Sequence, residues 1–222
     1  MFRDAALIAG KDLRIELRSK VTTQQVAPFA ALVIILFGIA LDPDRGILTR
    51  ASGGLFWMAV LFCALLAIQR AFTIEAADGG RDALRLSGLD PAGIFLGKAA
   101  AIAVELVLLE VVLAVGVIVI YGTDVTAPAL AIVAAAAATA GLAFAGTLYG
   151  VLAAGLRVRE TLLPILLLPV LTPVLIGATR SFDAALGGVA SDGWPWCGLL
   201  LVFALLYLVF GTLAFGTLLE ES

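Results

Sequence analysis

Six long apolar runs dominate this chain of 222 residues. A helix that crosses a bilayer needs about 20 mostly apolar residues, because the hydrocarbon core is about 30 Å thick. The composition agrees, since 62% of the residues are apolar and 14% are charged, against about 45–50% and about 25% in soluble domains. The sequence therefore predicts an all-α membrane protein with a single transmembrane domain over residues 1–222. The six predicted spans cover residues 26–41, 53–72, 99–121, 127–155, 162–179 and 194–219.

The lysines and arginines indicate which connecting segments face the cytoplasm, because cytoplasmic loops carry an excess of these residues. If the amino terminus is cytoplasmic, eleven of the fourteen basic residues fall on the inner side. Only Arg45, Arg50 and Arg180 fall on the outer side. This alternation predicts an even number of spans, with the amino and carboxyl termini both in the cytoplasm.

Residues 2–20 have the periodicity of an amphipathic helix rather than of a span. Basic residues fall mostly on a different side of the helix from the apolar ones, and the first span follows almost at once. We expect this helix to lie in the membrane interface, and a plain cytoplasmic helix is the alternative. The apolar positions are Phe2, Ala6, Ala9, Leu13 and Leu17, and the basic ones are Arg3, Lys11, Arg14 and Arg18.

The connection between the second and third spans concentrates charge and glycine. Asp90 and Pro91 are suited to cap and begin the next helix. A short helix parallel to the membrane, displaying charge between turns, would suit docking of a cytoplasmic partner. A solvated connecting loop is an equally open interpretation. The charged positions include Glu75, Asp78, Arg81 and Arg85, with Gly79-Gly80 between them.

Two acids, Glu105 and Glu110, lie within the third predicted span. A carboxylate at membrane depth is costly unless it is paired, protonated or in contact with water. We therefore expect both to face a bundle interior, a cavity or a subunit interface, with a functional or interface role. For Glu105, a side chain that reaches back to the inner surface is the alternative.

Other local signals predict how individual helices pack or end. Pro164, Pro169 and Pro173 predict kinks or a broken helix in the fifth span, and Gly146 and Gly150 form a GxxxG pair that allows close helix approach. Turn residues occur at 42–44 and 192–195.

The residues that are missing exclude several kinds of chemistry in this chain. The absence of histidine excludes imidazole metal sites and Ser-His-Asp catalysis, and the Gly93–Lys98 segment is one residue short of a P-loop. We therefore expect no catalytic residue and no metal site, with any ATP hydrolysis in a partner chain. Cys63 and Cys197 lie in apolar runs and are expected to be packing thiols rather than a disulfide.

Short motifs follow one another in a fixed order along nearly the whole chain. Together they closely resemble the haem exporter protein B family (CcmB) of the cytochrome c maturation system. The motifs are Lys11-Asp12-Leu-Arg14-Ile-Glu16-Leu-Arg18, Leu36-Phe37-Gly38 with Asp42-Pro43, Phe72-x-x-Glu75-x-x-Asp78-Gly79, Ser87-Gly88-x-Asp90-Pro91 with Gly97-Lys98, and Arg157-x-Arg159-Glu160-x-Leu-Leu-Pro164 leading to Pro169 and Pro173.

The resemblance implies a six-helix, type-2 ABC permease in the bacterial inner membrane, with residues 2–20 as an elbow helix. It implies a coupling helix within about residues 73–98 that docks on the ATPase, which places Glu75, Asp78, Arg81 and Arg85 in the coupling region. The family often has a longer charged run before Asp78-Gly79, which Ala76-Ala77 interrupts here.

The same resemblance implies a homodimer on two CcmA-like ATPase subunits. The further partners would be a CcmC-like haem-handling membrane protein, a CcmD-like single-span subunit and a CcmE-like periplasmic haem chaperone, with no nucleic acid. ATP hydrolysis would drive haem delivery or release of the haem-loaded chaperone, and this chain would bind no cofactor directly.

Other functions remain open at this stage. A type-2 ABC permease for a lipid or drug is one alternative, and an ion-coupled carrier that uses Glu105 and Glu110 is another. A structural scaffold for a membrane assembly is a third, although a scaffold would not need a docking helix.

Overall fold

The computed structural model describes residues 1–20, 24, 26–41, 45–77, 84, 86–154 and 159–221. Seven helices account for nearly all of these residues, which confirms the prediction of an all-helical protein. In chain order the helices are α1 (Phe2–Ser19), α2 (Ala27–Leu41), α3 (Arg45–Ala77), α4 (Pro91–Tyr121), α5 (Pro128–Ala154), α6 (Arg159–Ala185) and α7 (Ala190–Glu221).

Five of the helices, α3 to α7, are long and apolar enough to cross a membrane. The sixth apolar helix, α2, has 15 residues. At 1.5 Å per residue it is about 22 Å long, which is shorter than a hydrocarbon core of about 30 Å. The count of six spans and the cytoplasmic location of both termini therefore stay predictions.

Helix α5 packs against α3, α6 and α7 in the core of the bundle. Alanine favours the helical backbone, and its small side chain lets neighbouring helices approach, as at the fully buried Ala134 and Ala138 of α5. Gly146 and Gly150 of α5 contact Ile68 and Phe72 of α3 so closely that a Cβ atom at either glycine would overlap them. The close approach predicted for this glycine pair is confirmed, and the partner is α3.

The proline-rich helix α6 is continuous over Arg159–Ala185. Of the two predicted forms, the broken helix is therefore wrong, and the kinked helix stays a prediction. Each proline removes one backbone hydrogen bond, but a break would leave still more polar backbone groups unsatisfied in lipid. Leu167, Leu171 and Val174 are fully buried on the side of α6 that faces the bundle. This packing holds the helix together across the three prolines.

The turn predicted at residues 192–195 is also wrong, because α7 already begins at Ala190. The chain instead turns at residues 186–189, where Gly187 has a φ of 144° that favours glycine. Gly193 lies against Leu130 of α5, so the start of α7 packs as a helix in spite of Pro195. The other predicted turn, at residues 42–44, lies outside the described residues.

The two cysteines, Cys63 on α3 and Cys197 on α7, are both buried and free of a disulfide. Both contribute to the apolar core. The prediction that they are packing thiols is therefore confirmed.

Candidate functional site

The first helix lies alongside the amino-terminal half of α4. A Cβ atom on Gly97 would lie 2.6 Å from the carbonyl oxygen of Ala5 and 2.7 Å from the Cβ of Ile8, so the two backbones nearly touch there. Ile8 is buried in this contact. Helix α4 begins at Pro91, eight residues before the predicted span, and these added turns form the seat for α1.

Helix α1 therefore has a face that its amphipathic pattern did not reveal. Phe2 and Leu17, on the predicted apolar stripe, are 79% and 74% exposed. A separate side, which carries Ile8, Asp12 and Glu16, contacts α3 and α4. The helix is docked on the bundle, and its placement in the membrane interface stays a prediction.

A buried lysine ties α1 to α4. The side chain of Lys98 is 2% exposed, and its Nζ lies 3.4 Å from Oδ2 of Asp12 and 5.1 Å from the centre of the Phe72 ring. The other carboxylate oxygen of Asp12 lies 2.9 Å from Nζ of Lys11. Because a buried charge is tolerated only when it is paired, the pairing with Asp12 makes the burial of Lys98 possible.

An arginine near the carboxyl end of α3 ties the same helix to α3. Arg70 Nε donates to Oε2 of Glu16 at 2.9 Å, and its Nη2 donates to Oγ of Ser19 at 2.7 Å. Helix α1 is thus bound to both helices that flank the connection between α3 and α4. Displacement of either helix end would strain an ion pair with α1.

A further contact lies at the beginning of α4. The backbone N–H of Asp90 donates to Oδ2 of Asp4 at 3.4 Å. Hydrogen bonds from the ammonium of Met1 and then from this backbone N–H hold the pKa of Asp4 below its usual value. Asp90 caps α4 by accepting from the backbone N–H of Ala92 at 3.2 Å, which confirms the predicted cap.

Of the predicted ATPase-coupling residues, Asp78, Arg81 and Arg85 lie outside the described residues. Glu75 is described only as a backbone position on α3. Among the described parts of this connection, Leu84 is 8% exposed and Leu86 is 87% exposed. The connection thus has one buried leucine and one leucine that projects into the surroundings.

The two acids of α4 face different cavities. Glu105 is half-buried and lines a cleft of about 40 Å³ between α1, α3 and α4, together with Asp12, Glu16 and Arg70. It therefore lies beside the ion pairs that hold α1.

Glu110 lies five residues after Glu105 on α4 and faces a different side of the helix. It is 6% exposed, and Oγ1 of Thr139 on α5 donates to its Oε1 at 2.5 Å. It lines an apolar groove of about 360 Å³ between α4 and α5. The functional roles of Glu105 and Glu110 stay predictions.

Sequence reasoning missed the ion pairs of Asp12 with Lys98 and of Glu16 with Arg70. A signal was present, because Asp12 and Glu16 are four residues apart and share one side of α1. Lys98 lies one residue before the predicted span of residues 99–121, so the sequence does not indicate that it is part of the buried helix. The partner of Glu110, Thr139, had no sequence signal, because nothing local aligns α4 with α5.

No cluster of three metal-ligating side chains occurs within the described ranges. The described residues form two notable features. Ion pairs hold α1 against α3 and α4 at one end of the bundle, and an apolar groove that contains the carboxyl group of Glu110 lies between α4 and α5.

Comparison with known proteins places this architecture in a family. The family model for the CcmB protein matches residues 3–222. The heme exporter protein B of Escherichia coli K12 is 31% identical over 183 residues, which cover 82% of this chain and 83% of that protein. The proteins of the same name from Bradyrhizobium diazoefficiens and Pseudomonas aeruginosa are 29% and 28% identical, over 92% and 85% of this chain and 91% and 84% of their own lengths. The resemblance seen in the motifs is thus confirmed, and the chain belongs to the CcmB family of transporter permeases.

Proposed function

We propose that this chain is the membrane permease subunit of a haem exporter of cytochrome c maturation, driven by a separate CcmA-like ABC ATPase. The relatives are named heme exporter protein B, and no nucleotide-binding motif occurs in this sequence. ATP hydrolysis therefore belongs to the partner. The permease would sit in the bacterial inner membrane with both termini in the cytoplasm.

The coupling proposal rests on the two ion pairs, Arg70 with Glu16 and Lys98 with Asp12, that hold α1 beside the α3–α4 connection. Arg70 lies near one side of this connection and Lys98 near the other, and α1 pairs with both. Force that an ATPase applies to the connection would reach α1, α3 and α4 together. The exposed Leu86 supplies an apolar contact for such a partner, since exposed aliphatic side chains are typical anchors of docking surfaces.

The cycle would couple ATP hydrolysis to haem delivery or to release of a haem-loaded CcmE-like chaperone. Two copies of the chain would work with two ATPase subunits, a CcmC-like protein that handles haem and a CcmD-like single-span subunit. Haem would be held by these partners, so this chain would need no haem ligand of its own. The lack of histidine in this chain supports the assignment of haem binding to those partners.

An ion-coupled carrier receives less support than this proposal. Glu105 and Glu110 line separate cavities. Glu110 is also the one ionisable group among the residues that line the groove within the described part of the chain. A proton path would need a continuous series of polar groups between the two acids.

Leu86→Glu tests the docking proposal, because the side chain is exposed and its replacement should leave the fold intact. We expect loss of ATPase co-purification and of c-type cytochrome maturation at unchanged permease abundance. Val189→Glu is the matched control, since Val189 is 64% exposed in the α6–α7 turn, at the other end of the bundle. Full ATPase recovery with Leu86→Glu, or equal loss with both variants, would contradict docking at this connection.

A further inference from the structure

Helix α1 has fewer buried residues than any other helix of the structure. Ile8 is the one residue of α1 that is buried, whereas each of the other six helices has at least three. Much of its attachment comes from the ion pairs of Asp12 and Glu16. Few buried apolar contacts are typical of an element that opens locally while the rest of the structure stays folded. We therefore expect α1 to separate from the bundle more readily than any other helix.

Release of α1 would take away the ion-pair partner of Arg70 on α3. Nε of Arg70 donates to Oε2 of Glu16 at 2.9 Å, and the side chain of Arg70 is only 24% exposed. An arginine stays protonated in a protein, so its guanidinium would remain charged after α1 had left. A largely buried charge without a partner is costly. Arg70 therefore opposes the release of α1 unless a second acceptor lies within its reach.

A second carboxyl group lies in the same cleft. Glu105 of α4 is half-buried and lines the cleft together with Arg70 and Glu16, and the charges of both act on it. Within the described ranges, no hydrogen bond or ion pair reaches the carboxyl group of Glu105. Because α3 and α4 are both held in the bundle, Arg70 and Glu105 stay close when α1 leaves. A change of side-chain rotamers would then bring one of the five N–H donors of the arginine to Glu105.

We propose that Glu105 is the alternate partner of Arg70, so that the three residues form an ion-pair switch for α1. In the docked position Arg70 pairs with Glu16, and α1 is held. In the released position Arg70 pairs with the ionised carboxylate of Glu105, which gives up any proton that it carries to water. Because the guanidinium has a charged acceptor in both positions, its burial favours neither position strongly.

The switch would serve the coupling step, and only this use of it rests on the proposed function. Displacement of the α3–α4 connection by an ATPase would release α1 without leaving Arg70 unpaired. The exchange of acceptors is a property of this chain alone, so it is tested without the ATPase. Failure of the switch would leave the assignment of the chain as a permease unchanged.

Two simpler accounts of Glu105 predict different behaviour. If its carboxyl group is neutral and never exchanges, replacement by glutamine should have no effect on α1. If it is an ionised group that only repels Glu16, its replacement should strengthen docking whether or not Arg70 is present.

The experiment measures how often position 8 becomes accessible in native membranes. In a chain with Cys63→Ala and Cys197→Ala, the thiol of Ile8→Cys is covered while α1 is docked. It reacts with a membrane-permeant maleimide when α1 is released. Leu17→Cys gives the rate of a thiol that is always accessible, since Leu17 is 74% exposed.

We expect Glu105→Gln to lower the labelling rate at position 8 about tenfold, in line with the strength of one charge-assisted hydrogen bond. Release would then leave Arg70 without a charged partner. Arg70→Gln should change the rate by less than about threefold, because it removes one pair from each position. In the Arg70→Gln background, Glu105→Gln should have no further effect. The matched control is Asp183→Asn on α6, another half-buried acid, which should leave the rate unchanged.

An unchanged rate with Glu105→Gln would overturn the proposal. A rise of about tenfold or more with Arg70→Gln, towards the rate at Leu17→Cys, would also overturn it, because Arg70 would then stabilise the docked position alone. An equal effect of Glu105→Gln with and without Arg70 would show repulsion of Glu16 in place of exchange. The Arg70→Gln measurement keeps the test valid if Glu105→Gln lowers protein abundance.

Discussion

Replacing Lys98 with methionine should loosen α1 from the bundle. Methionine keeps most of the apolar length of lysine but removes the ammonium, which lies 3.4 Å from Asp12 and 5.1 Å from the Phe72 ring. The stem of Lys98 is fully buried, so packing changes little and the lost charge dominates.

The expected cost follows from what remains around Asp12. Breaking a fully buried ion pair costs about 3–5 kcal/mol, because it leaves an uncompensated buried charge. Asp12 is 16% exposed and keeps Lys11 at 2.9 Å, so the loss is closer to a hydrogen bond between charged groups, about 1.5–3 kcal/mol. A value of about 2 kcal/mol raises the population with α1 detached about 30-fold.

Labelling of a cysteine at position 8 measures this population. Ile8 is buried between α1 and α4, so in a chain with Cys63→Ala and Cys197→Ala the thiol of Ile8→Cys reacts with a maleimide only when α1 detaches. Lys98→Met should raise the labelling rate about 30-fold. The matched control is Lys11→Met, because Lys11 is 41% exposed and contacts the same carboxylate. An exposed pair is worth at most about 1 kcal/mol, so the control should change the rate by no more than about fivefold.

Equal labelling rates for the two methionine variants would refute the reasoning, because burial would then not distinguish the two ion pairs. A Lys98→Met rate within about twofold of the unaltered chain would show that packing alone holds α1.

Three further variants test separate parts of the account. Asp78→Arg combined with Arg85→Glu should reverse charge on the docking segment and abolish ATPase co-purification without unfolding the permease; unchanged recovery and cytochrome c yield would remove these residues from the coupling region. Glu110→Gln should impair cytochrome c maturation more than Glu105→Gln, because Glu110 is nearly fully buried and Glu105 half-buried, and full maturation in both would show that the acids are passive. Gly97→Leu should destabilise the α1–α4 contact by at least about 2 kcal/mol through overpacking. The labelling rate of the cysteine at position 8 should therefore rise. An unchanged rate would show that α1 does not pack against α4 at Gly97.

The helices themselves could be predicted from the sequence, because a membrane span requires a long apolar run whatever its neighbours are. Every predicted span coincides with a helix of the structure. The ends were less predictable: α4 begins eight residues early, since Asp90 caps it and α1 covers its first turns. Pro195 is a turn signal locally, yet contacts made by the start of α7 override it.

The candidate site was predictable only in part. Glu105 and Glu110 could be singled out because acids are rare at membrane depth, but whether they shared a cavity depended on how α1 and α5 pack against α4. The ion pair of Arg70 with Glu16 joins residues 54 positions apart. A periodic pattern within one helix does not indicate which residues of another helix it contacts. The ion pairs that join α1 to α3 and α4 could therefore be found only in the tertiary structure.

The most direct test of the central claim is purification of the tagged chain from its native membrane in a gentle detergent, with quantitative mass spectrometry of its partners. We predict recovery of an ABC ATPase in stoichiometric amount together with haem-handling maturation proteins, and loss of the ATPase alone in the Leu86→Glu variant. Recovery of the chain without any ATPase would contradict the claim that this protein is the permease of an ATP-driven haem exporter.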